Sequence, residues 1–136
     1  MARIELNSGE ANALVRALVE AKFHHLPYED PEVLTSSLVA RCAFELAAQA
    51  EWEAESRHGP SARDDWRRWL RVTPDRAEWR RALANAQEVW SSSWSRWSML
   101  ERADAIRLLF APFECADVPA FVLAVEGSLG GVAGAG

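Results

Sequence analysis

The sequence predicts an all-α protein: a single-domain antiparallel bundle of five or six helices, followed by a flexible Gly/Ala-rich C-terminal tail. Apolar residues recur at steps of three or four along most of the 136 residues, which is the period of an amphipathic helix. Helix-start signals, made of a capping side chain followed by proline or a capping-box glutamate, separate these stretches. A chain of this length fits one domain. We therefore expect residues 1–127 to form the bundle and residues 128–136 to be disordered.

A capping box formed by Asn7 and Glu10 begins the first predicted helix. This helix is expected to run from Ser8 to about Phe23. It must end before Pro27, because a proline disfavours the helical conformation of the residue that precedes it. A turn of about eight residues follows.

The second predicted helix runs from Pro31 to His58 and ends at a Gly-Pro pair. Residues 38–50 are apolar on almost every face, so we expect this helix to occupy the centre of the domain. Arg41 and Glu45 stand one turn apart in this stretch. We expect them to pair, with at least one of the two partly buried.

A third, shorter helix is predicted from Ala62 to Val72, after a further capping signal. Trp66, Trp69 and Leu70 lie on one side of it, and four arginines surround the other side. This distribution is typical of an amphipathic helix whose aromatic side faces the core.

The fourth predicted helix runs from Thr73 to Trp97 and carries a stripe of tryptophans. Thr73 is a favoured N-cap, and Pro74 stands where a missing N–H does no harm. The stripe consists of Trp79, Leu83, Ala86, Trp90, Trp94 and Trp97. Packing in the core is the favoured interpretation; a partner interface or a ligand box are the alternatives, because so large an apolar stripe needs a cover. The poor helix formers Ser91–Ser93 predict a kink or a break.

Two further elements complete the predicted bundle. Ser98 and Glu101 form a capping box, which starts a fifth helix that ends before Pro112. Asp117 then starts a last helix through Glu126, although the apolar run within it fits a buried strand equally well.

The composition predicts a cytoplasmic protein without a cofactor. Cys42 and Cys115 are not spaced as a pair and read as small buried hydrophobic residues in a reducing compartment. No apolar run resembles a signal peptide or a membrane span. Abundant alanine and arginine with a single lysine, Lys22, are typical of a GC-rich bacterial or phage genome.

A metal site has only partial support from the sequence. Glu51, Glu55 and His58 share a helical face, and the last two have the Glu-x-x-His spacing of di-metal bundles. Glu20 and His24 are the only further ligands suggested, and no second Glu-x-x-His pair exists. We therefore predict no metal site. Phosphate loops, nucleophile elbows and zinc spacings are also absent from the sequence, so we predict a protein that is not an enzyme.

The clearest functional signal is a charge asymmetry. Residues 57–81 contain eight arginines and four carboxylates, a net charge of +4, which leaves −9 for the rest of a chain whose total is −5. We predict a helical interaction module that binds a protein partner, or a second copy of itself as a dimer, through this Arg/Trp-rich segment. The predicted partner-binding residues are Arg63, Trp66, Arg67, Arg68, Trp69, Arg71, Arg76, Arg80 and Arg81.

Two other interpretations of the segment and one other interpretation of the whole protein are alternatives. Guanidinium groups interleaved with tryptophans also suit a small helical subunit associated with nucleic acid. The acidic pI of about 5.2 and the lack of a nucleic-acid motif argue against it. A carboxylate/His metal-binding bundle is the second alternative. Solvated arginine faces that pair with the acidic remainder are the simplest interpretation.

Overall fold

The computed structural model describes residues 5–6, 8–24 and 36–135, and within them the chain is all-α, as predicted. The helices are α1 (Ser8–Val19), α2 (Ser37–His58), α3 (Pro60–Leu70), α4 (Ala77–Trp90), α5 (Met99–Phe110) and α6 (Val118–Ala135). Two short strands, β1 (Arg71–Val72) and β2 (Glu114–Cys115), pair in parallel. No helix among these residues is long and apolar enough to cross a membrane. The antiparallel order of the helices stays a prediction.

The first helix has the predicted extent, but its last turn is wider than an α-helical turn. After α1 the chain continues as a π-helical turn, Glu20–His24. Asn7 of the predicted capping box lies outside the described residues, as does the turn at Pro27.

Helix α2 ends at His58, as predicted, but begins later than predicted. Ser36 is extended and caps the helix, because its hydroxyl accepts a hydrogen bond from the Val39 N–H at 3.2 Å. The start predicted at Pro31 falls outside the described residues. At the other end the Gly59 N–H donates to Glu55 O at 2.8 Å, and Gly59 has φ +88°, a conformation that favours glycine.

The prediction that α2 occupies the centre of the domain is wrong. Its buried residues are all alanines, Ala40, Ala43, Ala47 and Ala50, and α2 packs against α1 and α3. Leu38 is 66% exposed and Cys42 is exposed, which also corrects the prediction of a buried thiol. Arg41 and Glu45 do pair, at 3.6 Å, but both side chains are more than two-thirds exposed, at 71% and 72%.

The third helix lies two residues earlier than predicted, and the fourth is shorter than predicted. Helix α3 ends at Leu70 because the next two residues pair with β2. Helix α4 begins at Ala77, since Thr73 belongs to a turn and Arg76 is extended. The predicted break occurs at Ser91–Ser93, and a 3-10 turn, Trp94–Arg96, follows.

The core lies between α4, α5, α6 and the end of α1. Its largest members are Phe23, Trp79, Trp90, Trp94, Ile106, Phe110, Phe113 and Phe121. The Trp90 side chain is only 2% exposed and stacks on Trp94 with 5.5 Å between ring centroids. The tryptophan stripe is therefore core, as the favoured interpretation held, with Trp97 packed at its margin.

The last two helices start as the sequence predicts. The Ser98 side chain accepts from the Glu101 N–H, and the Glu101 carboxylate accepts from the Ser98 N–H, each at 3.2 Å. A hydrogen bond from the Ala120 N–H to Asp117 Oδ1, at 3.0 Å, lies at the start of α6. Residues 118–126 are therefore helix and not strand. Because α6 continues to Ala135, the predicted flexible tail is not confirmed.

Candidate partner-binding surface and the adjoining cleft

Two of the predicted partner-binding arginines fasten α3 to α2. Arg63 Nη1 lies 3.0 Å from Glu55 Oε1, and Arg67 pairs with Glu51 one turn earlier on α2. These pairs bring the two helices together across the sharp junction at Gly59. They also occupy the carboxylates that the sequence offered as metal ligands. Among the described residues no group of three or more potential ligands exists.

Arg76 is engaged inside the fold rather than exposed for a partner. Its Nη1 donates to the backbone oxygens of Trp69, at 2.6 Å, and Arg71, at 3.1 Å. Its guanidinium also pairs with Glu78 at 3.2 Å and lies over the Phe113 ring at 5.3 Å. These contacts satisfy carbonyl groups at the end of α3, where no helical donor remains. Arg76 is therefore best described as a residue that holds the α3–β1 turn.

The two tryptophans of the predicted surface pack within the fold. Trp69 contacts the Trp66 and Phe113 rings edge to face, at centroid distances of 5.4 and 5.1 Å. The Arg16 guanidinium lies 5.5 Å from its ring centre. Rings held in this way are poor stacking platforms for nucleic-acid bases. This weakens the nucleic-acid alternative, which depended on aromatic rings interleaved with arginines.

The remaining predicted partner-binding arginines are wholly or partly accessible to solvent. Arg71 and Arg80 are exposed and Arg81 is half-buried, and none of the three has a carboxylate within ion-pair distance among the described residues. Arg80 donates only to the backbone oxygen of Asp75, at 3.4 Å. Arg68 pairs with Asp65 at 3.2 Å, but both side chains are highly exposed. An exposed pair of this kind contributes little, so its arginine stays accessible.

The turn before α4 keeps a negative charge near these arginines. The Thr73 hydroxyl donates to the Asp75 carboxylate, and this hydrogen bond is the main reason that the pKa of Asp75 lies below its usual range. Arg76 and Arg80 lower it further. Asp75 therefore stays ionised wherever the arginines are tested near neutral pH.

An open cleft of about 710 Å³ adjoins the arginine segment. It lies between α2, α3, α5 and the β1–β2 pair. Its lining includes the apolar side chains of Phe44, Leu70, Ile106, Phe113, Cys115 and Val118 and the charged side chains of Glu51, Arg67, Arg71, Arg107 and Glu114. Burial raises the pKa of the Cys115 thiol to about 11. The thiol is therefore protonated at neutral pH, and it does not act there as a nucleophile.

The sequence did not single out Arg107 or Phe44. The Arg107 guanidinium lies 4.7 Å from the Phe44 ring centre, in a cation–π contact between α5 and α2. No carboxylate pairs with Arg107 among the described residues. The two residues stand 63 positions apart in a chain that gives no pairing signal between them. Only the packed fold brings them together.

Trp52 is a second residue that the sequence left aside. It is 66% exposed on α2, one turn after Ala48, which lines the cleft. The other described tryptophans are buried or partly buried. Tryptophan is enriched among the residues that dominate binding energy at interfaces.

Lys22 is a buried charged residue outside the arginine segment. Its side chain is 1% exposed, and Nζ donates to the backbone oxygens of Leu108, at 3.0 Å, and Ala111, at 2.6 Å. Burial lowers the pKa of the Lys22 ammonium to about 7. Lys22 follows Ala11, Val15 and Leu18 at helical spacing, so the sequence places it on the apolar face of the first helix.

Comparison with known protein families, curated proteins and solved structures finds no match to this chain. The described residues provide exposed cations, one exposed tryptophan and a cleft with both apolar and charged walls.

Proposed function

We propose that this chain is a non-enzymatic helical interaction module that binds a protein partner, or a second copy of itself, through the junction between α3 and α4. The observation that carries the proposal is a set of three arginines that have no carboxylate partner among the described residues: Arg71 and Arg80, which are exposed, and Arg81, which is half-buried. They belong to a segment of +4 in a chain whose remainder is −9. An acidic partner surface complements them, and complementarity of this kind sets partner choice and association rate.

The arginines that pair within the chain have a different role in this proposal. Arg63, Arg67 and Arg76 position the segment through ion pairs and carbonyl contacts. The partner-binding set thus narrows to Arg68, Arg71, Arg80 and Arg81. Trp52 joins them as an aromatic contact, because exposed tryptophans are enriched among residues that dominate binding energy.

The oligomeric state separates the two kinds of partner. The negative remainder of the chain is itself a complement for the arginines, so a second copy is an acceptable acidic partner. Light scattering at low and high salt measures the oligomeric state directly. A dimer that dissociates as salt rises supports self-association through the arginines, because salt screens exposed charges. A monomer at both salt concentrations directs the search to a different protein.

The capture experiment uses the full chain as bait with charge-reversed variants. We expect a protein partner retained by the wild type to be lost when Arg71, Arg80 and Arg81 are all changed to glutamate. A control variant changes Arg41 and Arg96, two exposed arginines outside the segment, to glutamate. Equal retention by the wild type and the triple variant contradicts the proposal. Retention of RNA or DNA that falls steeply with salt favours the nucleic-acid alternative instead.

A further inference from the structure

We propose that the cleft between α2, α3 and α5 is a binding site for a small amphiphilic anion, with an apolar body and a carboxylate or phosphate head group. This inference goes beyond partner binding, because its main anchor, Arg107, is not part of the partner-binding set. The two proposals can therefore fail separately. Arg71 is the residue that they share.

The size and walls of the cleft suit an apolar body. A volume of about 710 Å³ falls within the range of roughly 300 to 1,000 Å³ found for small-molecule sites. Phe44, Leu70 and Val118 are half-buried, so part of each apolar side chain stays accessible from the cleft. Burying such surface stabilises a bound hydrocarbon or aromatic group in proportion to its area.

The charges at the cleft favour an anionic head group. Arg67 is paired with Glu51, so these two charges neutralise each other. The other charged residues of the lining are Arg71, Arg107 and Glu114. Glu114 forms no ion pair with either arginine. The cleft thus carries one uncompensated positive charge, which a single carboxylate neutralises.

Arg107 is held in a geometry that leaves its donors available. Its guanidinium carbon lies 4.7 Å from the Phe44 ring centre, a cation–π contact that helps to position the group. No ion pair or hydrogen bond engages its N–H groups among the described residues. A guanidinium whose N–H groups are not engaged can donate the two parallel hydrogen bonds that a carboxylate or phosphate accepts. The same ring lies on the apolar wall, so head group and body meet the cleft at neighbouring points.

Binding is tested by calorimetric titration of the full-length protein with ten-carbon amphiphiles. The probes are decanoate, decyl phosphate, and decyltrimethylammonium as the cationic control. We expect decanoate or decyl phosphate to bind with one site per chain, and the tighter of the two identifies the head group. The cation should bind at least about tenfold more weakly, since it lacks the charge-assisted hydrogen bonds and meets a positive charge.

Two variants locate the site. Arg107→Gln removes the charge and should weaken anion binding by roughly tenfold or more, whereas the matched Arg96→Gln change lies outside the cleft and should not. Ala103→Phe fills the cleft from an exposed helical position and should abolish binding without disturbing the core. Partner capture should be unchanged in Arg107→Gln.

Four results would overturn the inference. These are no binding of either anion at millimolar concentration, equal binding of the cation, unaltered anion binding by Arg107→Gln in a protein of normal helical content, and a dimer that Ala103→Phe dissociates. The last result would assign the cleft to a second copy of the chain. Normal helical content, measured by circular dichroism, separates loss of a contact from loss of the fold.

Discussion

The buried lysine makes the stability of this protein depend on pH in a way that one substitution removes. Lys22 Nζ donates to the carbonyl oxygens of Leu108 and Ala111, at the end of α5, and is almost without solvent contact. Burial disfavours the ammonium, which lowers its pKa from 10.5 to about 7 in the folded state. The amine therefore gains a proton on unfolding throughout the pH range between these two values.

The sign of the effect follows from this proton uptake. Between pH 7 and 10.5 the unfolded chain binds more protons than the folded one, so the free energy of unfolding rises with pH. With a folded pKa of about 7, linkage gives an increase of about 2 kcal/mol between pH 7 and pH 9. Below pH 7 the contribution of Lys22 becomes flat. Above pH 9 the raised pKa of Cys115 acts in the opposite direction, because the unfolded thiol ionises first.

Urea unfolding at pH 7, 8 and 9 measures this slope in the wild type and in Lys22→Met. The variant should lose the slope. It should also be the less stable protein at pH 9, because two buried carbonyl groups lose their donor at a cost of about 1 to 3 kcal/mol each. At pH 7 the difference in stability between the two proteins should be smaller, because the wild type loses stability as the pH falls from 9 to 7 and the variant does not. A wild type with no slope, or a variant that keeps it, refutes the linkage to Lys22.

Two further predictions concern the chain junction and the tryptophans. Gly59→Ala should reduce the free energy of unfolding by about 1 to 3 kcal/mol, because Gly59 has a positive φ. Gly127→Ala within α6 should raise the free energy of unfolding by up to about 1 kcal/mol. Urea unfolding that finds Gly59→Ala to be the more stable of the two variants contradicts this prediction. Trp90→Ala should cost about 3 to 5 kcal/mol, because the ring is buried against Trp94. Trp52→Ala should change the free energy of unfolding by less than about 0.5 kcal/mol, because this ring is exposed. Equal losses of stability for the two variants in thermal unfolding would contradict the assignment of Trp90 to the core and Trp52 to the surface.

Local signals in the sequence predicted the features that local chemistry determines. The capping box at Ser98, the break at Ser91–Ser93 and the end of α2 before Gly59 each depend on residues within one helical turn. Periodicity also identified the core-facing residues of α4, which are Trp79, Leu83, Ala86 and Trp90. Trp94 and Trp97 lie beyond the end of α4 and reach the same core through the 3-10 turn. Thr73 failed as a cap for a different reason. A Thr-Pro-Asp sequence also forms turns, and here the turn lets β1 pair with β2.

Features that depend on distant residues could not be read from the sequence. Arg71 and Glu114 are partners in the strand pair but stand 43 positions apart. The apolar composition of α2 predicted a central helix. In the fold, α1 and α3 pack against a face of α2 whose buried residues are alanines, and Leu38 on another face is exposed. The arginine segment was predicted as one surface. Arg76 instead donates to the Trp69 carbonyl oxygen within the fold. Contacts of this kind depend on carbonyl groups that only the folded chain brings close to an arginine.

The role of the exposed arginines is tested most directly by titrating the partner, or a second copy of the chain, against three forms of the protein. These are the wild type, a variant with Arg71, Arg80 and Arg81 changed to lysine, and a variant with the same three residues changed to glutamate. We predict that the lysine variant keeps most of the affinity and that the glutamate variant loses on the order of 100-fold, since three exposed charge contacts contribute about 1 kcal/mol each. Equal affinity of all three forms would contradict the proposed role of this surface.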